Sequence, residues 1–347
     1  MTTTSPVTWF EQLFGFPEAD YAATQSRFEV NGTTLHSKPN GRVFDIGTFS
    51  TPTLTSLRER ARSAPRGSLR VTHEAIGDVL ALHALPENRG ALFQVASQFN
   101  CLEFAGPKVV PEDGVTGYAF DRTQGPACSL AAAAATVYRN YFAPVNGIAG
   151  QTRGRQLDGL DELAARLGAP GEFWNVVNGY THSDEARLAR LKTVLAGHDR
   201  EELLGAVKIG LQSGTGVDFR SRFEETTEPT HVSQAFCSAL SCGYTNVPLD
   251  AWEPLATIAL DAAYEATLLA ALTDEHPAPL RTVWLTFIGG GVFGNRMEWI
   301  AGAIGRALKR VEGFDLHVRI AHYRNIDEQL VDDVECARGR VPHRMRA

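Results

Sequence analysis

Val283-Trp-Leu-Thr-Phe-Ile-Gly-Gly-Gly-Val-Phe-Gly-Asn295 decides how the rest of this 347-residue chain is read. An apolar run with the length of a buried strand enters three consecutive glycines, and a helical pattern starts near Asn295. Successive residues without Cβ let backbone N–H groups come close to an anion, and a helix beginning there adds the positive end of its dipole. The stretch reads as a cradle for a phosphate-bearing, nucleotide-like ligand. An ordinary Gly-rich strand-to-helix turn is the alternative.

On the C-terminal side, Met297–Val311 has helical spacing and Leu316–Ala321 reads as a final strand. On the N-terminal side, Leu249–Thr273 is the longest helix pattern, with Pro277 and Pro279 after it. Further upstream, Ala91-Leu-Phe-Gln-Val-Ala-Ser97 is a short apolar strand suited to burial on both faces, ending in Gln98-Phe99-Asn100. Open α/β sheets place ligands at that edge. A loop from Cys101 to about Gln124 follows, then a helix over Pro126–Tyr141 with alanines at 131–135 and its N-terminus at Thr123-Gln-Gly-Pro126.

The remaining pattern supplies a hairpin over Ser68–Thr72 and Ala75–Leu82, a helix over Leu160–Leu167 and a strand-like Phe173–Val177. Ser183–Leu195 is amphipathic, Leu204–Leu211 is a strand, Phe219–Thr230 a loop, and Gln234–Leu240 a strand. Residues 1–66 open with a helix at Trp9–Phe14 and short strands. Strands alternating with helices imply a mostly parallel or mixed sheet covered on both faces. The expected organisation is an N-terminal extension (1–66) packed on a core domain (67–330), with a C-terminal tail (331–347).

Composition narrows the function. Lys and Arg total 33 against 40 Asp plus Glu, a net charge of −7 with no basic stripe, which argues against nucleic acid. Five dispersed cysteines form no CxxC pair and fit a reducing compartment. The N-terminal residues lack a signal-peptide pattern, so a cytoplasmic protein with no membrane association is expected.

Four separated motifs now carry a resemblance. They are Gly77-Asp78-Val79; Phe93-Gln-Val-Ala-Ser-Gln-Phe-Asn-Cys-Leu-Glu103; Pro111-Glu-Asp-Gly114 with Tyr118-Ala-Phe-Asp-Arg-Thr-Gln-Gly-Pro126; and Gly289-Gly-Gly-Val-Phe-Gly294. Together with Gln234-Ala-Phe-Cys-Ser-Ala-Leu240, the set resembles the macrodomains, and within them the atypical Legionella-effector type that removes ADP-ribose from arginine. The likeness spans roughly residues 70–325. It departs from the ordinary family where several glycines after the first Asn are replaced by segment 106–126.

The resemblance implies a three-layer α/β/α mixed sheet with N-terminal and internal extensions, and a hydrolase acting on ADP-ribosylated protein, with ubiquitin one candidate target. A non-catalytic ADP-ribose reader is the second reading. In the implied site Asp78 accepts from the adenine amino group. Gly289, Gly290, Gly291, Val292, Phe293, Gly294 and Asn295 hold the diphosphate side. Gln98, Phe99, Thr123, Gln124 and Gly125 border the ligand, and Asn100 orients the distal ribose.

Cleavage at that ribose passes through an oxocarbenium-like state, which a carboxylate stabilises while a carboxylate base activates water. Asp121 is the first choice and Asp113 the second. A cap or turn role is the plain alternative for both. The cysteines and histidines match no zinc spacing, and neither metal nor cofactor is expected.

Overall fold

The computed structural model describes residues 7–168, 170–273 and 281–341. Met1–Pro6, Pro277 and Pro279, on which the N-terminal and helix-stop readings drew, lie outside the described residues. In chain order the main sheet uses β1 (Thr48–Ser50), β2 (Leu69–Ile76), β3 (Leu92–Ala96), β4 (Gly210–Gly216), β5 (His231–Cys237), β6 (Thr282–Leu285) and β7 (Leu316–Tyr323). Their spatial order is β1-β4-β5-β3-β6-β7-β2. β5, β3, β6, β7 and β2 run parallel, while β4 is antiparallel to both β5 and β1.

Parallel strands need covering on both faces, and the sequence provides it. The helices that flank the sheet are α1 (Trp9–Phe14), α2 (Leu54–Arg60), α3 (Val79–His83), α4 (Gln124–Ala131), α5 (Ala133–Tyr141), α6 (Leu249–Thr273), α7 (Met297–Arg310) and α8 (Glu328–Arg338). α6 is apolar nearly all round and long enough to cross a membrane, yet 94% of its apolar window is buried inside the protein. It is the core helix of one layer, packed with α7 and α2, and α8 closes over α7. The opposite layer holds α4, α5 and an aromatic cluster in which Phe10, Phe14 and Phe28 stack edge to face. This is the three-layer α/β/α mixed sheet expected from the sequence.

Several boundaries differ, each for a local reason. The expected 68–82 hairpin is one strand, β2, followed by α3, because Asp78 caps a helix there by accepting from the Leu80 N–H at 3.0 Å. The single helix over 126–141 is two, broken where Ala132 leaves helical angles and Asp218 caps the new N-terminus through the Ala134 N–H. Leu204 and Gly205, expected to open a strand, instead end a helix over 200–205 that Asp199 caps, and the strand starts at Gly210. The 219–230 loop contains a small hairpin, Phe219–Ser221 with Glu224–Glu225. At the domain boundaries, β1 lies in the main sheet and α8 runs through residue 330, with Val334 fully buried. The chain up to Arg338 is therefore part of the helical layer and not a tail.

Candidate functional site

Topology opens the cleft. From β3 the chain crosses to one side of the sheet for β4 and β5, then returns to the other side for β6 and β7. A crevice forms where crossovers leave in opposite directions, at the carboxyl ends of the strands. Here β6 pairs with β3 only at Val283↔Leu92 and Trp284↔Phe93, and then the strands part.

Beyond that point the backbone of β3 needs new partners. Gln124 supplies them from α4: its Oε1 accepts from the Ala96 N–H and its Nε2 donates to Gln94 O, both at 2.8 Å. Gln94 returns the favour across the gap, its Oε1 accepting from the Thr286 N–H at 3.2 Å. α4 can approach this closely only because Gly125 lacks a side chain; a Cβ there would stand 2.0 Å from Ala96 O.

The resulting cleft has two ends that share Thr123, Gln124 and Thr286. One end, of 480 Å³, is lined by Asp78, Val79, Arg122, Arg222, His322, Tyr323 and Arg324 among others. The other, of 370 Å³, is lined by Gln98, Glu103, Asp121, Gly125, Tyr180, Tyr244 and the loop residues Gly289, Gly291, Val292 and Phe293. The stretches around 98–126 and 289–293 therefore face one another across a single cleft.

The glycine loop has the shape its composition predicts. Gly289 and Gly294 lie at φ +79° and +70°, a region that disfavours side chains, and a Cβ on Gly289 would meet that of Ala239 at 2.3 Å. Gly290 packs under Met297, and Asn295 is buried, its Nδ2 donating to Leu240 O at 2.7 Å. Gly290, Gly294 and Asn295 thus shape the loop from behind and do not line the cleft.

The opposite wall is held by side chains bonded to backbone. Asp121 lines the cleft and its Oδ1 accepts from both the N–H and the hydroxyl of Thr123, at 2.8 and 2.7 Å, so the turn role and a place in the site coincide. Asp113 is placed elsewhere. It is exposed, and its Oδ2 accepts from the Val110 N–H at 2.9 Å, capping the short helical turn 111–113. Glu112 is likewise committed, to the Arg153 N–H.

Asn100 is fully buried behind the cleft, donating to Gln156 and accepting from the Leu102 N–H at 3.1 Å. Phe99 packs in the core. Neither lines the cleft: the chain turns at Cys101, whose φ is +61°, and aims Asn100 at its own loop.

Glu103, which sequence reasoning passed over, does line the cleft. Only 2% of it is exposed; Oε2 accepts from Ser129 Oγ at 2.7 Å and faces Arg139 Nη2 at 3.6 Å, while Oε1 has no hydrogen-bond partner among the described residues. Burial pushes its carboxyl up to about 7, outweighing the opposing pull of Arg139. Its position at the end of the quoted 93–103 motif was the available signal. Tyr180, Tyr244 and Phe293 also meet here, with ring centroids 5.1 to 5.9 Å apart. They come from three distant segments, so no local pattern marks them. Among the described residues no group of His, Cys, Asp and Glu is arranged to hold a metal ion.

No family model and no curated protein matches the chain. Solved structures do. Poly(ADP-ribose) glycohydrolase from Deinococcus radiodurans in complex with ADP-ribose is similar at 17% identity over 83% of this chain and 92% of that one, with a TM-score of 0.47. The Thermomonospora curvata poly(ADP-ribose) glycohydrolase is similar at 14% identity over 86% and 88%, with a TM-score of 0.42. Likeness at this level leaves the chemistry to the cleft itself.

Proposed function

We propose that the protein binds ADP-ribose along the cleft and hydrolyses mono-ADP-ribose from a modified protein side chain, with arginine as the favoured linkage. The observation that carries this reading is that two hollows adjoin, sharing Thr123, Gln124 and Thr286 as common wall. An aspartate suited to an adenine amino group stands at one end, glycine-loop backbone suited to a diphosphate at the other, and a carboxylate, Asp121, borders the second end.

In this reading Asp78 accepts from adenine while its Oδ1 still caps α3. The 289–293 backbone holds the diphosphate, and the distal ribose lies between Phe293 and Asp121. Asp121 draws a proton from water as its oxygen bonds to the anomeric carbon; the carbon–nitrogen bond breaks and its electron pair leaves with the side-chain nitrogen, which regains a proton. The fixed loop and the Thr123-tethered carboxylate supply orientation before the substrate arrives. Arginine is favoured because Tyr180, Tyr244 and Phe293 form an aromatic wall at this end, and a guanidinium is attracted to ring faces.

The reader alternative draws on the same walls and on the tethering of Asp121 into a turn. Incubating the protein with ADP-ribosyl-arginine protein, ADP-ribosyl-glutamate protein and NAD separates the readings. Release of ADP-ribose from the arginine-linked substrate is expected. Binding of ADP-ribose with no release from any of the three would establish a reader.

A further inference from the structure

The adenosine end of the cleft carries more positive charge than its assigned ligand uses. Arg122, Arg222 and Arg324 all line it, in a chain whose net charge is −7. Arg222 is clamped, its Nη1 donating to the carbonyls of Ala119 and Asp121 at 2.7 and 3.0 Å. Arg122 and Arg324 are exposed, and neither pairs with a carboxylate among the described residues.

Arg324 is also held in place by an unusual backbone. Its φ is +65°, the left-handed region, and its N–H donates to Ile76 O at 3.0 Å. A non-glycine residue persists there only when its surroundings impose it. Its guanidinium lies 5.0 Å from the Tyr323 ring centroid, so ring and charge face the cleft rim as a unit. Burial lowers the pKa of His322, which disfavours a charge on it.

Three guanidiniums lining one end beside a single carboxylate, with none of the three paired to it, leave positive charge for an anion. The diphosphate is already provided for at the glycine loop, beyond Thr123 and Thr286. Asp78, the one carboxylate lining this end among the described residues, is assigned to the adenine amino group. The anion that remains is one attached to the adenosine itself.

We propose that this end of the cleft binds a phosphate monoester on the adenosine ribose, so that ligands phosphorylated at the 2′ or 3′ position bind more tightly than their unphosphorylated counterparts. The inference rests on the reading of the cleft as an ADP-ribose site, and it adds a ligand class to that site.

Calorimetry on the full chain at one fixed ionic strength tests it, with ADP-ribose against 2′-phospho-ADP-ribose, and AMP against adenosine 3′,5′-bisphosphate. The extra phosphate is expected to tighten binding about tenfold in at least one pair, the pair naming the position recognised. In Arg122→Glu/Arg324→Glu that ratio should fall to about one; Arg122→Gln, which keeps polarity without reversing charge, should reduce it partway, and thermal unfolding verifies that both variants fold.

Equal or weaker binding of both phosphorylated ligands by the wild type overturns the inference while leaving the ADP-ribose site standing. A double variant that weakens both members of each pair alike overturns it too, assigning the arginines to the diphosphate. Failure of ADP-ribose itself to bind removes the underlying reading, and this inference with it.

Discussion

The two walls of the cleft are built by opposite means. The 289–294 wall is shaped by missing side chains: left-handed Gly289 and Gly294 turn the backbone, and Gly289 fits against Ala239 only without a Cβ. The 98–126 wall is shaped by side chains that bond backbone. Gln124 substitutes for a neighbouring strand, Asp121 ties Thr123, and Asp113 and Glu112 secure the loop behind. A wall made of backbone can hold a diphosphate but offers no titratable group; a wall made of tethered side chains can do acid–base chemistry. On the proposed reading, their pairing puts binding on one side and chemistry on the other.

The sharpest way to break this division is Asp121→Ala. It should lower release of ADP-ribose from ADP-ribosyl-arginine protein by about 10²–10⁴-fold, the range for a positioned acid or base. If release survives, Asp121 does not carry the chemistry.

Gly289→Ala tests the other side and should act on binding. Its strained φ and the clash with Ala239 should weaken ADP-ribose affinity by about tenfold or more and cost about 1–3 kcal/mol of stability, read by calorimetry and denaturant unfolding.

Gln124→Ala strands the Ala96 N–H and Gln94 carbonyl at the point where β3 and β6 part. A loss of about 1–3 kcal/mol in chemical denaturation is expected.

Glu103 predicts a pH dependence. Its folded pKa, about 7, lies above the ordinary carboxylate value of 4.5. The stability linked to it is therefore complete below pH 4.5 and is lost as pH rises through about 7. Unfolding measured across that window should show the decline in wild type and a flatter profile in Glu103→Gln.

The smallest effect is expected of Asp113→Ala, about 0.5–2 kcal/mol from a lost cap with turnover retained. Loss of turnover with an intact fold would return Asp113 to the chemistry.

Local sequence was enough for the glycine loop, the strand entering it, the α/β alternation and the position of Asp121 just before a helix, because strand length, glycine geometry and capping act over a few residues; Asp78 entered by resemblance, in a segment read as a strand that proves to be a helix cap. Sequence reading led to Asn100 and Asp113 as site groups and passed over Glu103. Those three depend on where a loop turns: a left-handed Cys101 directs Asn100 inward, while a helix placed against β3 brings Glu103 to the cleft. The aromatic wall of Tyr180, Tyr244 and Phe293 and the three arginines lie far apart along the chain, and only the crossing of the sheet in both directions from β3 gathers them. Period and composition decide what each segment becomes; which side chains share a cleft is decided by long-range packing, which no local pattern records.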